Sequence, residues 1–407
     1  MTAVHKQGAE RPGGPGGQPS RAISGNQSSA TPGPPGPPHN PRDAAMPKKM
    51  KITRRWQDYF VTPTGPTMTY REEAPPLPYA ESWYMLAPSA EVQPGQVVTR
   101  RLMGSDVVVY RTRQGAVRAL HPHCRHLGAH LGNGWVEGET IVCPFHHFAF
   151  DCKGEVAAVG AGYEGLPKHC KQPVLQVREA NGGIFAWAGH GEPTWTIPQL
   201  LGPQHTTPKF RTFDLFTHPQ EVLENAVDIR HVTNMHDYAE ACLPKGSTPD
   251  KHTCSQTLRM TRAFPPFGKL TVDVDITLYG LGLFTGAIRN SEIGLEQFVQ
   301  FIPRPTEPWR IHLAVGTSML IAPSRGIAAH IPRFVFRALS FLVEPFYYRL
   351  ALTDLNDDFQ IWNGKAYINP PRIAAGEGPI GPFRMWARQF YPDTPLTLWP
   401  EAGRNEQ

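Results

Sequence analysis

Two stretches of this chain gather side chains able to bind metal. In the first, Cys124-Arg125-His126 is followed after sixteen residues by Cys143-Pro144-Phe145-His146, a C-x-H pair and a C-x2-H pair. Two thiolates and two imidazoles can together hold a metal. Structural zinc typically pairs like with like, as C-x2-4-C and then H-x3-5-H, whereas each pair here mixes the two ligand types. A [2Fe–2S] cluster in which two His replace two Cys on one iron needs each of two loops to offer one ligand to each iron. A Cys and a His on both loops meet that requirement, so the pattern favours the iron–sulfur cluster over a zinc knuckle. His121, His123, His130 and His147 are read as surface or supporting residues, and Cys152 and Cys170 as buried free thiols rather than a disulfide.

The second stretch, LENAVDIRHVTNMHDY, contains Asp228, His231 and His236 as D-x2-H-x4-H, and NDDFQIWNGK much later offers Asp357 and Asp358. Two His and a distant carboxylate are the facial triad of non-heme Fe(II) oxygenases, which leaves coordination positions open for oxygen. His231 and His236 stand five apart, about 140° around a helix of 3.6 residues per turn, so a straight helix would not aim both at one ion. The segment is expected to end, loop or bulge between them. Taken alone, the same pattern also suits a polar surface helix.

These residues need elements to position them. Residues 80–195 show short apolar runs between turn formers, such as VVTRRL, DVVVYRT, ETIVCPF and GIFAWAG, which predict an all-β unit. Beyond the Pro-containing stretch near 194–208, residues 196–407 combine helical candidates at 220–235 and 332–362 with strand-like LTVDVDITLYG, LEQFVQFIPR and WRIHLAVGTSML. They predict an α+β domain, a helix-grip arrangement of antiparallel sheet and helices. The run Gly280-Leu-Gly282-Leu-Phe-Thr-Gly286 lacks a βαβ setting and is read as a bend in the sheet, not a nicotinamide site. Residues 1–50 are rich in Pro, Gly and Ser and predict a disordered tail, with Met46 and Met50 as alternative starts.

Composition excludes other classes. Forty Lys and Arg against 35 Asp and Glu leave +5 with only 18% charged residues, too dilute and dispersed for nucleic acid. The most apolar stretch, 331–352, is interrupted by Arg333, Arg337, Glu344 and Arg349, so it is expected to form a core or interface helix pair rather than a membrane span. An opening without an apolar h-region and only six cysteines lead to the expectation of a reducing, cytoplasmic setting.

With both constellations in this order, PHCRHLGAHLGNG, VCPFHHFAFDCKG, LENAVDIRHVTNMHDY and NDDFQIWNGK together resemble the catalytic subunit of Rieske non-heme iron oxygenases over about residues 80–395. One departure is that His147 and Phe148 follow His146 where many members have Gly and Trp. The resemblance implies that Cys124, His126, Cys143 and His146 hold the [2Fe–2S] cluster. It also implies that His231, His236 and Asp358 bind a mononuclear Fe(II), Asp358 being preferred to Asp357 by the family-like D-x2-I-W spacing. Asp354 and Asp357 are then solvated helix residues. Asp228 would orient His231 and reach His146 of a neighbouring subunit in a homotrimer, carrying electrons between the two metals. NAD(P)H would act only indirectly, through a separate reductase and possibly a ferredoxin. The implied reaction uses O2 to oxidise a C–H bond of a hydrophobic small molecule.

GPIGPFRMWARQFYPD resembles the steroid-hydroxylase and sterol-desaturase branch, and similar arrangements occur in prodiginine-type oxidative cyclases. Hydroxylation is the default, with desaturation or ring closure as alternatives. Residues 264–267, 281–284 and 334–348 are candidates to line the substrate pocket, against the alternative of plain core. A Rieske electron carrier and a zinc-stabilised binding protein remain as other classes, but only the oxygenase uses both constellations.

Overall fold

Valines, isoleucines and aromatic residues alternating between glycine turns make residues 82–188 a set of short antiparallel strands. The computed structural model describes residues 77–399 except 237, 264–267, 291–293, 322, 324 and 325, so the expected tail, 1–50, lies outside the described residues. The strands are β1 (Ser82–Pro88), β2 (Val97–Leu102), β3 (Ser105–Arg111), β4 (Val117–Leu120), β5 (Trp135–Glu137), β6 (Thr140–Val142), β7 (Ala149–Phe150), β8 (Val156–Ala158), β9 (Val174–Leu175), β10 (Val177–Ala180) and β11 (Gly183–Ala188). They form sheets ordered β1-β11-β10, β2-β3-β4-β9 and β5-β6-β7-β8. The β4–β5 and β6–β7 loops carry the two Cys/His pairs. Val108, Leu120, Leu131, Ile141 and Phe150 are fully buried beneath them and give the loops a rigid apolar bed.

The second half is built on longer strands: β12 (Lys209–Leu215), β13 (Glu240–Cys242), β14 (Ser247–Pro249), β15 (Thr253–Ala263), β16 (Lys269–Tyr279), β17 (Leu283–Asn290), β18 (Leu295–Glu307) and β19 (Arg310–Met319). They make one antiparallel sheet ordered β12-β19-β18-β17-β16-β15-β13, with β14 also on β15. Its register places Leu258, Val274, Ile288 and Gln297 side by side on one face, with Met260 beside Val272. The alternate residues carry the Arg259–Asp273 and Arg289–Glu296 ion pairs on the other face. Period-2 patterning thus makes one apolar face and one charged face.

Four α-helices complete the described residues: α1 (Pro219–Glu224), α2 (Ile229–Met235), α3 (Arg333–Gly364) and α4 (Ile380–Ala387). The single helix expected over 220–235 is two. The backbone breaks at 225–228, where the Ile229 N–H donates to the Glu377 carbonyl at 2.9 Å and Gly378 packs so closely on Val227 that a Cβ would lie 2.1 Å from its carbonyl oxygen. The helix pair expected over 331–352 is instead the first part of one helix, which continues through Pro345. An interior proline costs about 3 kcal/mol. Packing of Leu352, Leu355 and Trp362 against Leu313 and Val315 of β19 holds the helix beyond it.

The Gly280–Gly286 run forms the β16–β17 hairpin turn and the strand after it, a change of direction in the sheet as expected. Gly280 has φ +54°, and a Cβ on Gly282 would lie 2.0 Å from the Trp83 carbonyl oxygen of β1. Glycine therefore lets the two halves of the chain approach at this turn. Near its end the chain returns to the first half, where Leu396 and Leu398 enter a core with Tyr84, Leu102 and Val107.

Candidate active site

The two loops of the β unit sort their Cys and His side chains by type rather than by sequence. Cys124 and Cys143 are both buried, at 3% and 2% exposure, while the His126 and His146 rings meet edge to face at 4.8 Å and are more open to solvent. Thiols from different loops thus lie on the inside and imidazoles on the outside. This fits a two-iron cluster with sulfur ligands on one iron and nitrogen ligands on the other. Burial pushes the Cys124 thiol up to about 12, with the neighbouring Cys143 also raising it, so a thiolate there needs a cation. Phe148 stacks on His126 at 4.3 Å and 12°. His147 has φ +58°, a backbone conformation that favours glycine, and its ring lies 5.1 Å from Trp135.

Of the other histidines, His130 accepts from the Gly132 N–H at 3.0 Å and caps a short turn. His121 sits 5.2 Å from the Trp399 ring. All six cysteines are free, but Cys152 is exposed, in contrast to the burial expected for it, because it stands in the turn after β7; Cys170 is buried.

In the second half, α2 ends at Met235 and His236 occupies its C-cap with φ −100° and ψ 11°. This is the break that the five-residue spacing demanded. The His231 and His236 rings lie 5.3 Å apart, and one ligand atom from each of His231, His236 and Asp358 falls within 4.8 Å of the others. Asp358 arrives from α3, and Asp357 is not in the group. His231 Nδ1 makes a short contact with the Asp228 backbone carbonyl, which fixes that nitrogen as the donor and leaves Nε2 free to bind a metal. The Asp228 carboxylate has a different task. Its Oδ1 accepts from the Arg230 and His231 N–H groups at 3.1 and 3.2 Å, capping α2. In this chain the contact that orients the His231 ring is therefore made by the Asp228 main chain.

Burial lowers the pKa of His231 against the pull of Asp358 and Asp228. Burial also opposes charge on His236, but the Asp358 carboxylate outweighs it and raises that pKa. His236 Nε2 is 3.3 Å from Asp358 Oδ1, yet His236 Nδ1 and Asp358 Oδ1 are buried without a hydrogen bond. Two imidazoles and a carboxylate with unsatisfied buried atoms fit a single divalent ion.

Comparison with known proteins agrees with this arrangement. Residues 82–167 match the Rieske [2Fe-2S] domain, and residues 185–391, just over half of the chain, match the 3-ketosteroid 9alpha-hydroxylase C-terminal domain. The chain is a Rieske oxygenase of the 3-ketosteroid 9alpha-hydroxylase family. Its relatives include cholesterol 7-desaturase of Xenopus laevis, 29% identical over 78% of this chain and 73% of that protein. Another is the oxygenase component of 3-ketosteroid-9-alpha-monooxygenase from Rhodococcus rhodochrous, 24% identical over 79% and 83%. The fold is that of dicamba monooxygenase, with a TM-score of 0.55 over 76% of this chain and 96% of the other at 17% identity. The cofactors of this Rieske oxygenase are accordingly a [2Fe–2S] cluster and a mononuclear iron.

The three converging side chains of this oxygenase open onto a cavity of about 230 Å³ between the apolar face of the sheet and the helices. Leu258, Val272, Val274, Ile276, Phe284 and Val299 make much of its wall. Of the residues expected to line it, Phe284 does, Leu281 and Leu283 are plain core, and 264–267 lie outside the described residues. Among the residues of 334–348 whose side chains are described, none is in the wall, which α3 reaches through Asp354, Leu355 and Asp358.

Sequence reasoning missed a polar group in this wall. Asp354 is not a solvated residue: it lies one helical turn before Asp358, half-buried, accepts from the Tyr238 hydroxyl at 3.2 Å and pairs with Arg262 at 3.3 Å. Burial raises its pKa despite Arg262 and His236. Arg262 lies over the Tyr238 ring at 5.2 Å. The available signal was the period of β15, in which Arg262 follows Leu258 and Met260 on the inward face.

Proposed function

We propose that this chain is the terminal oxygenase that oxidises a C–H bond of a steroid-like molecule. Its iron would be held by His231, His236 and Asp358, and its cluster by Cys124 and Cys143 on one iron and His126 and His146 on the other. The observation that carries the reading is an imidazole, imidazole and carboxylate group in the wall of an otherwise aliphatic cavity. The relatives named for 3-ketosteroids and cholesterol support the substrate class. The working division assigns residues 80–195 to the cluster and 196–407 to catalysis.

Iron held by His231, His236 and Asp358 would supply O2 activation; two electrons from the reductase and two protons from solvent balance the insertion of one oxygen atom into the C–H bond and the release of the other as water. The chain supplies the rest. The Asp228 carbonyl fixes the His231 tautomer, Asp358 contributes the balancing negative charge, and the strand side chains exclude water and hold an apolar ring system against the metal. Tyr238, Arg262 and Asp354 offer hydrogen-bond partners to an oxygen substituent on that ring system. Hydroxylation is the default outcome. Desaturation is the second reading, favoured by relatives that bear the name cholesterol 7-desaturase.

Electrons come from a separate reductase, with a ferredoxin where required. They would cross between subunits of a homotrimer from His146 of one to Asp228 of the next. All six free cysteines support a reducing, cytoplasmic setting, and no helix of the described residues is long and apolar enough to cross a membrane.

Iron content and electron paramagnetic resonance of anaerobic, dithionite-reduced protein test the proposal, with wild type compared with His231→Ala. About three irons per chain with a Rieske-type signal, and one iron lost in the variant, are expected. Two irons in both proteins would leave an electron carrier, and zinc without the signal would overturn the assignment.

A further inference from the structure

Gln172 is fully buried, and every polar atom of its side chain is engaged with the β4–β5 loop that carries Cys124 and His126. Its Nε2 donates to the carbonyls of His121 at 2.6 Å and His123 at 2.9 Å, and its Oε1 accepts from the Arg125 N–H at 3.1 Å. The Gln172 backbone is itself fixed. Its N–H donates to the Gly154 carbonyl at 2.7 Å, and a Cβ on Gly154 would lie 1.8 Å from the Gln172 carbonyl oxygen. Beside it the His121 N–H donates to the Pro173 carbonyl at 2.9 Å. The turn after β7 thus presses residues 172 and 173 against the β4–β5 loop.

These bonds decide how the two peptide groups flanking Cys124 point. The peptide before it is held at both ends, by the His123 carbonyl on Gln172 and by the Cys124 N–H, which donates to the Ala129 carbonyl at 2.9 Å. The peptide after it is held by the Gly128 N–H, which donates to the Cys124 carbonyl at 2.9 Å, and by the Arg125 N–H on Gln172. Each peptide has one anchor in the loop's own backbone and the other in Gln172. The next amide, that of His126, is turned to the Cys124 sulfur, where it opposes the burial that raises the thiol's pKa. Of the two N–H groups that follow Cys124, one therefore faces the sulfur and the other is withdrawn from it. At the matching position of the β6–β7 loop, the residue after Cys143 is Pro144, which has no N–H. The two loops reach the same result by different means: the residue after each cysteine presents no donor to the sulfurs.

We infer that Gln172 is a positioning residue of the [2Fe–2S] cluster, which keeps the reduction potential low by withholding the Arg125 N–H from the cluster's sulfur ligands. The inference rests on the proposed ligands Cys124, His126, Cys143 and His146. A hydrogen bond to a ligand sulfur stabilises the added negative charge of the reduced cluster, so one donor fewer favours the oxidised form and makes the reduced cluster the stronger reductant.

The test uses the full chain with both metal centres in place, at matched iron content, and reads the cluster's midpoint potential in a mediated redox titration followed by electron paramagnetic resonance. Gln172→Met keeps the length of the side chain and removes the acceptor, so at the wild-type midpoint the ratio of reduced to oxidised cluster should rise about threefold or more. Gln172→Glu keeps an oxygen for the Arg125 N–H, and its ratio should stay at or below that of wild type. A role in loop packing alone would move both variants the same way. If Gln172→Met does not retain the cluster, Gln172→Asn, whose amide falls one methylene short of Arg125, must show the rise in its place. An unchanged or lower ratio in Gln172→Met, or in Gln172→Asn where it stands in, would overturn the inference, as would a rise in Gln172→Glu equal to that in Gln172→Met. Absence of a Rieske-type signal in wild type would instead overturn the ligand assignment beneath it.

Discussion

Replacing Asp228 separates two tasks that one residue performs. Its carboxylate caps α2 through the Arg230 and His231 N–H groups at 3.1 and 3.2 Å, and it is proposed to accept a hydrogen bond from a neighbouring subunit's cluster histidine. Asn offers the same capping oxygen, so Asp228→Asn loses only the favourable negative charge at a helix N-terminus, about 0.5 kcal/mol. Asp228→Ala loses the cap as well, about 1 to 2 kcal/mol, and with it the anchor that seats His231 at the start of α2. A charge-assisted hydrogen bond contributes about 1.5 to 3 kcal/mol, and each 1.36 kcal/mol on a barrier is about tenfold in rate. Asp228→Asn should therefore keep about three irons per chain and near wild-type stability, while turnover with saturating reductase falls by about a hundredfold. Guanidinium denaturation, iron analysis and steady-state turnover measure the three quantities separately. Full turnover in Asp228→Asn would refute the bridge, and loss of iron in Asp228→Asn equal to that in Asp228→Ala would refute the separation of cap from bridge.

Two further outcomes follow from the packing. His218 is buried and held neutral: its Nε2–H donates to the Pro78 carbonyl at 3.1 Å, its Nδ1 accepts from the Gln220 N–H at 3.2 Å, and burial pushes its pKa down to about 4. The unfolded chain binds this proton below about pH 6.5 and the folded chain does not, so stability should fall between pH 6.5 and 4 by about 3 kcal/mol. His218→Asn, which preserves a capping oxygen, should flatten that slope in denaturation curves; an unchanged slope would exclude His218 as its source. Gly282→Ala would drive a methyl into the Trp83 carbonyl, so the variant should lose about 3 kcal/mol or fail to fold, whereas Gly138→Ala, where a Cβ meets nothing, should cost only its φ +55° strain, about 1 kcal/mol; equal midpoints in thermal melts would contradict the close approach.

Much of the site is local, and local features are written in the sequence. Mixed Cys/His pairs on two turns match the proposed cluster, which needs one ligand from each loop for each iron, and a five-residue histidine spacing requires a helix to stop if both rings are to meet, as α2 does at Met235. Period-2 alternation gave the strands on which both halves rest, because side-chain direction in a strand follows from position alone.

What depends on distant contacts was not legible. The division of 220–235 into α1 and α2 comes from the chain at 377–378 pressing on Val227 and Ile229, and the continuity of α3 through Pro345 comes from its packing on β19. Asp354 and Asp357 look alike in NDDF and the turn before it, but only a helix docked on the sheet turns Asp354 toward Arg262 and Tyr238. Arg304 is the same lesson in a strand. Sequence placed an arginine between two prolines, and only the packing of β18 against β1 buried its charge, because burial is a property of two surfaces and a sequence describes one at a time.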